Sequence, residues 1–240
     1  MRTRMLLGVA AGLALVLGAA LAADAPPAKP KNVVDKPIVK GKKAEAVEAA
    51  ALARSLAAYG EKKKSPAMLV AAAEILIDNP VGRLEARKTT LGPTSLPAGT
   101  ESRPAATPAL DVPRLLTEGL QLAAKDKTVQ SFIKQVQDRA PDATRGPVGG
   151  PLARDGTLGA GCCDLWWVEF KANEPPVVAV AGDPGADLTL SVYDQSNNLI
   201  VGGERGVGLP LAWVLDHQAT FLIKVVNKAA SSTNCTVICQ

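Results

Sequence analysis

The chain has 240 residues, with 27 Lys or Arg against 23 Asp or Glu, one His, four Cys and 3% aromatic residues. That length suits one or two domains. A net charge of +4 is far from the strong, clustered basic excess of a nucleic-acid-binding surface, so no nucleic-acid partner is expected.

Arg2 and Arg4 precede an uncharged apolar run from Met5 to Leu21, and Ala20-Leu21-Ala22 gives the small-x-small pattern of a signal-peptidase site. Residues 1–22 are therefore expected to be a cleavable secretory signal peptide, which places the mature protein in the periplasm or outside the cell. The run is at the short limit for crossing a bilayer. The first cysteine is Cys162, so no lipid anchor is expected at the cut, and no later segment is apolar enough for a membrane span. Losing Arg2 and Arg4 from the 27 basic residues leaves 25 against 23 acidic ones.

Residues 23–42, with Pro26, Pro27 and Pro30, lack periodicity and are expected to form a disordered tether. Residues 43–139 are expected to be a helical segment. Val47, Ala51, Leu52, Leu56 and Tyr59 form one apolar stripe, which Gly60 and Lys62-Lys63-Lys64 should end. Ser65-Pro66 restarts a helix carrying Met68, Leu69, Ala72, Ala73, Ile75 and Leu76, and Asn79-Pro80 stops it. The two form a helical hairpin. Residues 81–110, with Pro93, Pro97, Pro104 and Pro108, are expected to be a linker or long surface loop. A further helix spans 111–139, capped by Asp111 or Val112. Leu115, Leu122, Val129 and Val136 recur every seven residues, as packing on the hairpin requires, and a short coiled coil is the alternative. Lys125-Asp126-Lys127 interrupts the stripe and can split it into two helices. Residues 140–161 are so rich in Gly and Pro that a linker without strand or helix is expected.

Residues 162–240 are expected to be an all-β sandwich or jelly roll of about seven strands: 164–170, 176–182, 187–194, 198–202, 211–215, 219–227 and 234–239. Leu188, Leu190 and Val192 alternate with Thr189, Ser191 and Tyr193, and Phe221, Ile223 and Val225 repeat the period of two. The fold class is thus α+β in two segments, helical first and β second. The stretch from Val168-Glu169-Phe170-Lys171-Ala172 through Gly182-Asp183, the run Asp187 to Asp194, Asn198-Leu199-Ile200 and Trp213 to the run Phe221 to Asn227 resembles the bacterial pre-peptidase C-terminal family. The resemblance implies a small β-sandwich with an accessory or binding role on exported proteins. Where that family often has a second acid, this chain has Thr189.

Cys162, Cys163, Cys235 and Cys239 sit at the two ends of the β segment. In an exported chain they are expected to form end-to-end disulfides, in either pairing. Asp183, Asp187 and Asp194 lie in or beside turns and are a weak candidate for a Ca²⁺ site. Their alternative use is in side-chain turns and a strand start. No cofactor is expected. The single histidine, His217, lies between Asp216 and Gln218, and no nucleophile elbow, His-Glu-x-x-His, phosphate loop or dinucleotide fingerprint is present. The expected function is non-catalytic: an exported binding or accessory protein whose sandwich recognises protein or glycan of the cell envelope. A chaperone or inhibitor companion of a secreted peptidase is the second reading, and a small hydrolase using His217 the third.

Overall fold

The computed structural model describes residues 41–92, 110–140, 149–172, 174–203 and 208–240. The expected signal peptide and most of the expected tether lie outside them, as does 93–109 of the proline-rich stretch. The described residues form four helices and ten strands: α1 Lys42–Lys63, α2 Pro66–Asp78, β1 Gly82–Arg83, β2 Arg87–Leu91, α3 Val112–Leu122, α4 Lys127–Arg139, β3 Leu152–Leu158, β4 Cys163–Phe170, β5 Val177–Gly182, β6 Leu188–Tyr193, β7 Leu199–Gly203, β8 Leu211–Ala212, β9 Ala219–Asn227 and β10 Thr233–Cys239. The fold class is α+β.

Alanine decides how the helices stack. Ala44, Val47, Ala50 and Ala51 of α1 are buried against Val177, Ala179, Ala181 and Ile238 of the sandwich, while Ala53 and Ala57, on another side of α1, pack with Leu69, Val70 and Leu76 of α2. Small side chains on both sides let one helix lie close to a sheet and to a second helix at once. Gly60 was expected to end α1, but the helix runs on to Lys63. A Cβ at Gly60 would lie 2.9 Å from Leu69 Cδ2 and 3.2 Å from the Leu69 backbone nitrogen. Glycine is there for the close approach of α1 and α2. The chain then turns at Lys64, in the left-handed region at φ 52°.

Ser65 and Pro66 open α2, although the Ser65 side chain makes no capping bond. Asp111 caps α3 by accepting from the Arg114 N–H at 3.2 Å. Asp126 caps α4 by accepting from Thr128 and Val129 at 3.0 and 3.1 Å. The charged interruption is therefore a helix start. Leu115 and Val136 are buried in the helical core, with Leu122 and Val129 packed against it, so the seven-residue repeat serves packing within the bundle.

The strands form two five-stranded sheets, ordered β1-β3-β10-β5-β8 and β2-β4-β9-β6-β7. The first is the helix-side sheet, since α1 packs on its β5 and β10. The second is the far sheet. Between them lies a core of Trp166, Val168 and Phe170 from β4, Phe221, Ile223 and Val225 from β9, and Val178, Val180 and Val237 from the helix-side sheet. Phe170, Trp213 and Phe221 meet edge-on or tilted, with ring centroids 5.3 to 6.2 Å apart, which adds to their area burial.

All seven expected strands are present, but three more join them from segments expected to be linkers. β1 and β2 come from 81–110, and β3 comes from 140–161, where glycine density had argued against any strand. Pairing outweighs local propensity here. β3 pairs along its whole length with β10, from Leu158 opposite Thr233 to Leu152 opposite Cys239. A Cβ at its Gly156 would lie 3.1 Å from Lys88 Nζ, so a larger residue there would press on the lysine tip by a few tenths of an ångström.

One polar junction ties α1 to the helix-side sheet. Arg54 is 4% exposed. Its Nε donates to Thr236 Oγ1 at 3.1 Å and its Nη2 to Asp183 Oδ1 at 3.0 Å. Thr236 in turn donates to Asp155. Arg54→Ala is expected to lower the unfolding free energy by about 2 kcal/mol, through the lost bond to buried Thr236 and lost packing; the half-exposed Asp183 adds little, being screened by solvent. Arg54→Lys should recover less than half of that, because an ammonium lacks the fork that reaches both acceptors. Urea denaturation measures both, and a lysine variant as stable as the parent contradicts the assignment.

Candidate functional site

Strand alternation gives the far sheet two faces. Asp164, Trp166, Val168 and Phe170 of β4 point into the core, so Cys163, Leu165, Trp167 and Glu169 point outward. The strand pairing then lines up rows across the sheet. Arg87 lies opposite Trp167, Trp167 opposite Leu222, Leu222 opposite Tyr193 and Tyr193 opposite Leu199. A neighbouring row runs Thr89, Leu165, Lys224, Ser191, and the next runs Leu91, Cys163, Val226, Thr189. The Arg87 guanidinium sits over the Trp167 ring, 4.2 Å from its centroid. Leu199 and Leu91 are 52% and 48% exposed at opposite margins of this face. Among the described residues the helices pack on the other sheet and leave this broad aromatic and aliphatic face open.

A second cluster lies inside the sandwich edge. Asp164 is fully buried, and Lys88 of β2 reaches it with Nζ 2.6 Å from Oδ2. Thr90 Oγ1 donates to Asp164 Oδ1 at 2.6 Å. The Lys88 ammonium also lies 4.9 Å from the Trp166 ring centroid, and Arg154 approaches the same ring at 5.4 Å. Cations, carboxylate and indole close the gap where β2 faces β3. This is a structural device, because the groups are already matched to each other.

A cleft of about 190 Å³ opens at one end of the sandwich, lined by Leu152, Val168, Phe170, Pro176, Cys239 and Gln240. Its rim charges are paired, Lys43 with Glu174 at 2.5 Å, and the Lys43 contact holds the Glu174 carboxyl below the usual range. Gln240 Nε2 donates to Gly149 O at 2.6 Å.

The four cysteines are free thiols, which corrects the expected end-to-end disulfides. Cys235 and Cys239 lie four residues apart on β10, roughly 13 Å in extended chain, and both are buried in the inter-sheet core. Cys163 begins β4 on the outward face of the opposite sheet, so a bridge from it would have to pass through its own sheet. Cys162 packs against the core from the turn before β4. Burial raises the Cys163 thiol pKa and pushes those of Cys235 and Cys239 up to about 12, with the Asp164 carboxylate adding to the effect at Cys235.

The three candidate Ca²⁺ ligands have separate uses. Asp183 accepts from Arg54 and, through Oδ2, from the Asn234 backbone and side chain at 3.0 Å. Asp194 closes its own turn, accepting from the Ser196 and Asn198 N–H groups at 2.9 and 2.8 Å. The Asp187 carbonyl receives the Lys228 N–H at 2.8 Å, just before β6. Among the described residues no three His, Cys, Asp or Glu side chains are grouped to hold a metal. His217 is 60% exposed, with Nδ1 2.5 Å from Asp216 Oδ1.

Sequence reasoning missed the outward row and the buried ion pair. The signal for Asp164 was present, since alternation through 164–170 puts it on the same side as Trp166 and Phe170. The positions of Arg87 and Lys88 were not readable, because β2 fell in an expected linker. No family model matches the chain, and no curated protein matches it either.

Proposed function

We propose that the chain is an exported, non-catalytic binding or accessory protein of the cell envelope, and that the open face of the far sheet recognises protein or glycan there. The export part of this reading rests on the signal-like pattern of residues 1–22. The accessory part draws on the resemblance to pre-peptidase C-terminal sandwiches. One observation carries the recognition surface. The row Arg87, Trp167, Leu222, Tyr193, Leu199 crosses all five strands on the face that the helices leave open. Aromatic and arginine side chains on a rigid sheet are the usual anchors of binding energy.

The test is capture. The chain is immobilised and exposed to an envelope fraction, alongside the variant Trp167→Ala/Tyr193→Ser. Both positions face outward, so the variant should fold normally by circular dichroism. Retention of the captured material should fall at least about tenfold, the loss expected when hot-spot side chains are truncated. Equal retention by parent and variant contradicts the assignment. Treating the fraction with protease or with periodate before capture separates a protein from a glycan partner.

A further inference from the structure

The chemistry of the open face narrows the partner, and this step rests on the proposed recognition surface. Two cations stand in its three central rows, Arg87 beside Trp167 and Lys224 in the middle of the sheet, and no carboxylate stands in those rows. The nearest outward acid on β4 is Glu169, which accepts from Gln218 at 2.6 Å at the fringe. Thr89 and Ser191 share the row of Lys224, and Thr189 stands in the next row, farther from Trp167 and Tyr193.

Arg87 and Lys224 are two strands and two residues apart in the pairing, which sets their Cα atoms roughly 12 Å from each other. Two charges at that spacing can be met together by neighbouring anionic groups of one chain. An extended polymer supplies such groups in succession, while its apolar ring faces lie on Tyr193 and on the stacked Arg87 and Trp167 pair. We infer that the partner is an anionic glycan, a polymer of sugars bearing carboxylate or phosphate groups, held across the far sheet by Arg87 and Lys224, with Tyr193 and the stacked Arg87 and Trp167 pair beneath its rings. A nucleic acid also combines charge with stacking, but two cations without a clustered basic excess do not make its binding surface.

The test uses four polymers on the full chain, followed by isothermal titration and by the backbone amide signals of β4, β6 and β9. Polygalacturonate should bind, with affinity falling as salt rises. Dextran, which lacks charge, and polyglutamate, which lacks sugar rings, should each bind at least about tenfold more weakly, the loss from one set of charged or stacking contacts. A single-stranded oligonucleotide should also be weaker. Arg87→Gln/Lys224→Gln should abolish the preference for polygalacturonate over dextran, and Trp167→Ala its preference over polyglutamate. Equal binding of dextran, of polyglutamate or of the oligonucleotide overturns the inference. If polygalacturonate fails while Trp167→Ala/Tyr193→Ser still loses envelope capture, the anionic-glycan inference falls and the recognition face stands. If capture is also unaffected, the face itself is wrong.

Discussion

Replacing Asp164 with Ala is expected to lower the unfolding free energy by about 3–5 kcal/mol, the usual cost of removing one partner of a buried ion pair. Asp164 has no exposed surface, and the Lys88 side chain facing it is only 23% exposed. Its Oδ2 is held by charge, with Lys88 Nζ at 2.6 Å, and its Oδ1 by the Thr90 hydroxyl. Without the carboxylate, the ammonium stays against the Trp166 ring with no counter-charge, and Thr90 loses its acceptor. The double variant Asp164→Leu/Lys88→Met removes both charges and should recover most of the loss, because the desolvation penalty goes with them. Urea denaturation of the three proteins decides it. A single variant within about 1 kcal/mol of the parent, the range of an exposed pair, contradicts the buried pair.

Stability should also fall steeply in alkali. The folded state holds the Cys235 and Cys239 thiols protonated up to about 12, against 9.0 for an unperturbed thiol, chiefly because burial penalises the thiolate. The folded chain therefore binds these protons more tightly than the unfolded chain does. That contribution is complete below pH 9 and is lost as pH rises from 9 toward 12. The loss is about 1.4 kcal/mol per thiol for each pH unit. Unfolding free energy measured against pH should show this slope, and Cys235→Ala/Cys239→Ala should flatten it whatever the variant costs in packing. An identical slope in parent and variant contradicts the burial of the two thiols. Thiol reagents supply a second readout: Cys235 and Cys239 should react only after denaturant is added.

β4, β6 and β9 were legible because each alternates residue by residue, and β5 because it is a short continuous apolar run bounded by turn residues. The alternation of Leu188, Leu190 and Val192 with Thr189, Ser191 and Tyr193 specifies one buried face by itself. The helices were legible from stripes and caps, as at Asp126. β1, β2 and β3 were not, because what makes Arg87 to Leu91 a strand is its partner β4, some 70 residues later in the chain. The same gap hid the recognition row. Trp167 was visible as an aromatic, but its place beside Arg87 and Tyr193 depends on three pairings made at long range. The disulfide expectation failed for a similar reason. Cysteine counting sees which residues are available, whereas the direction of each thiol follows from strand phase, and Cys163 points away from Cys235.

Side-chain footprinting of the chain alone and bound to captured envelope material tests the central claim most directly. With photogenerated carbene, Trp167, Tyr193 and Leu199 should lose labelling on binding, while the exposed Phe132 of α4 and the His217 turn keep theirs. Unchanged labelling of Trp167, Tyr193 and Leu199, with protection appearing on the helices or around His217, would place recognition elsewhere and contradict the account.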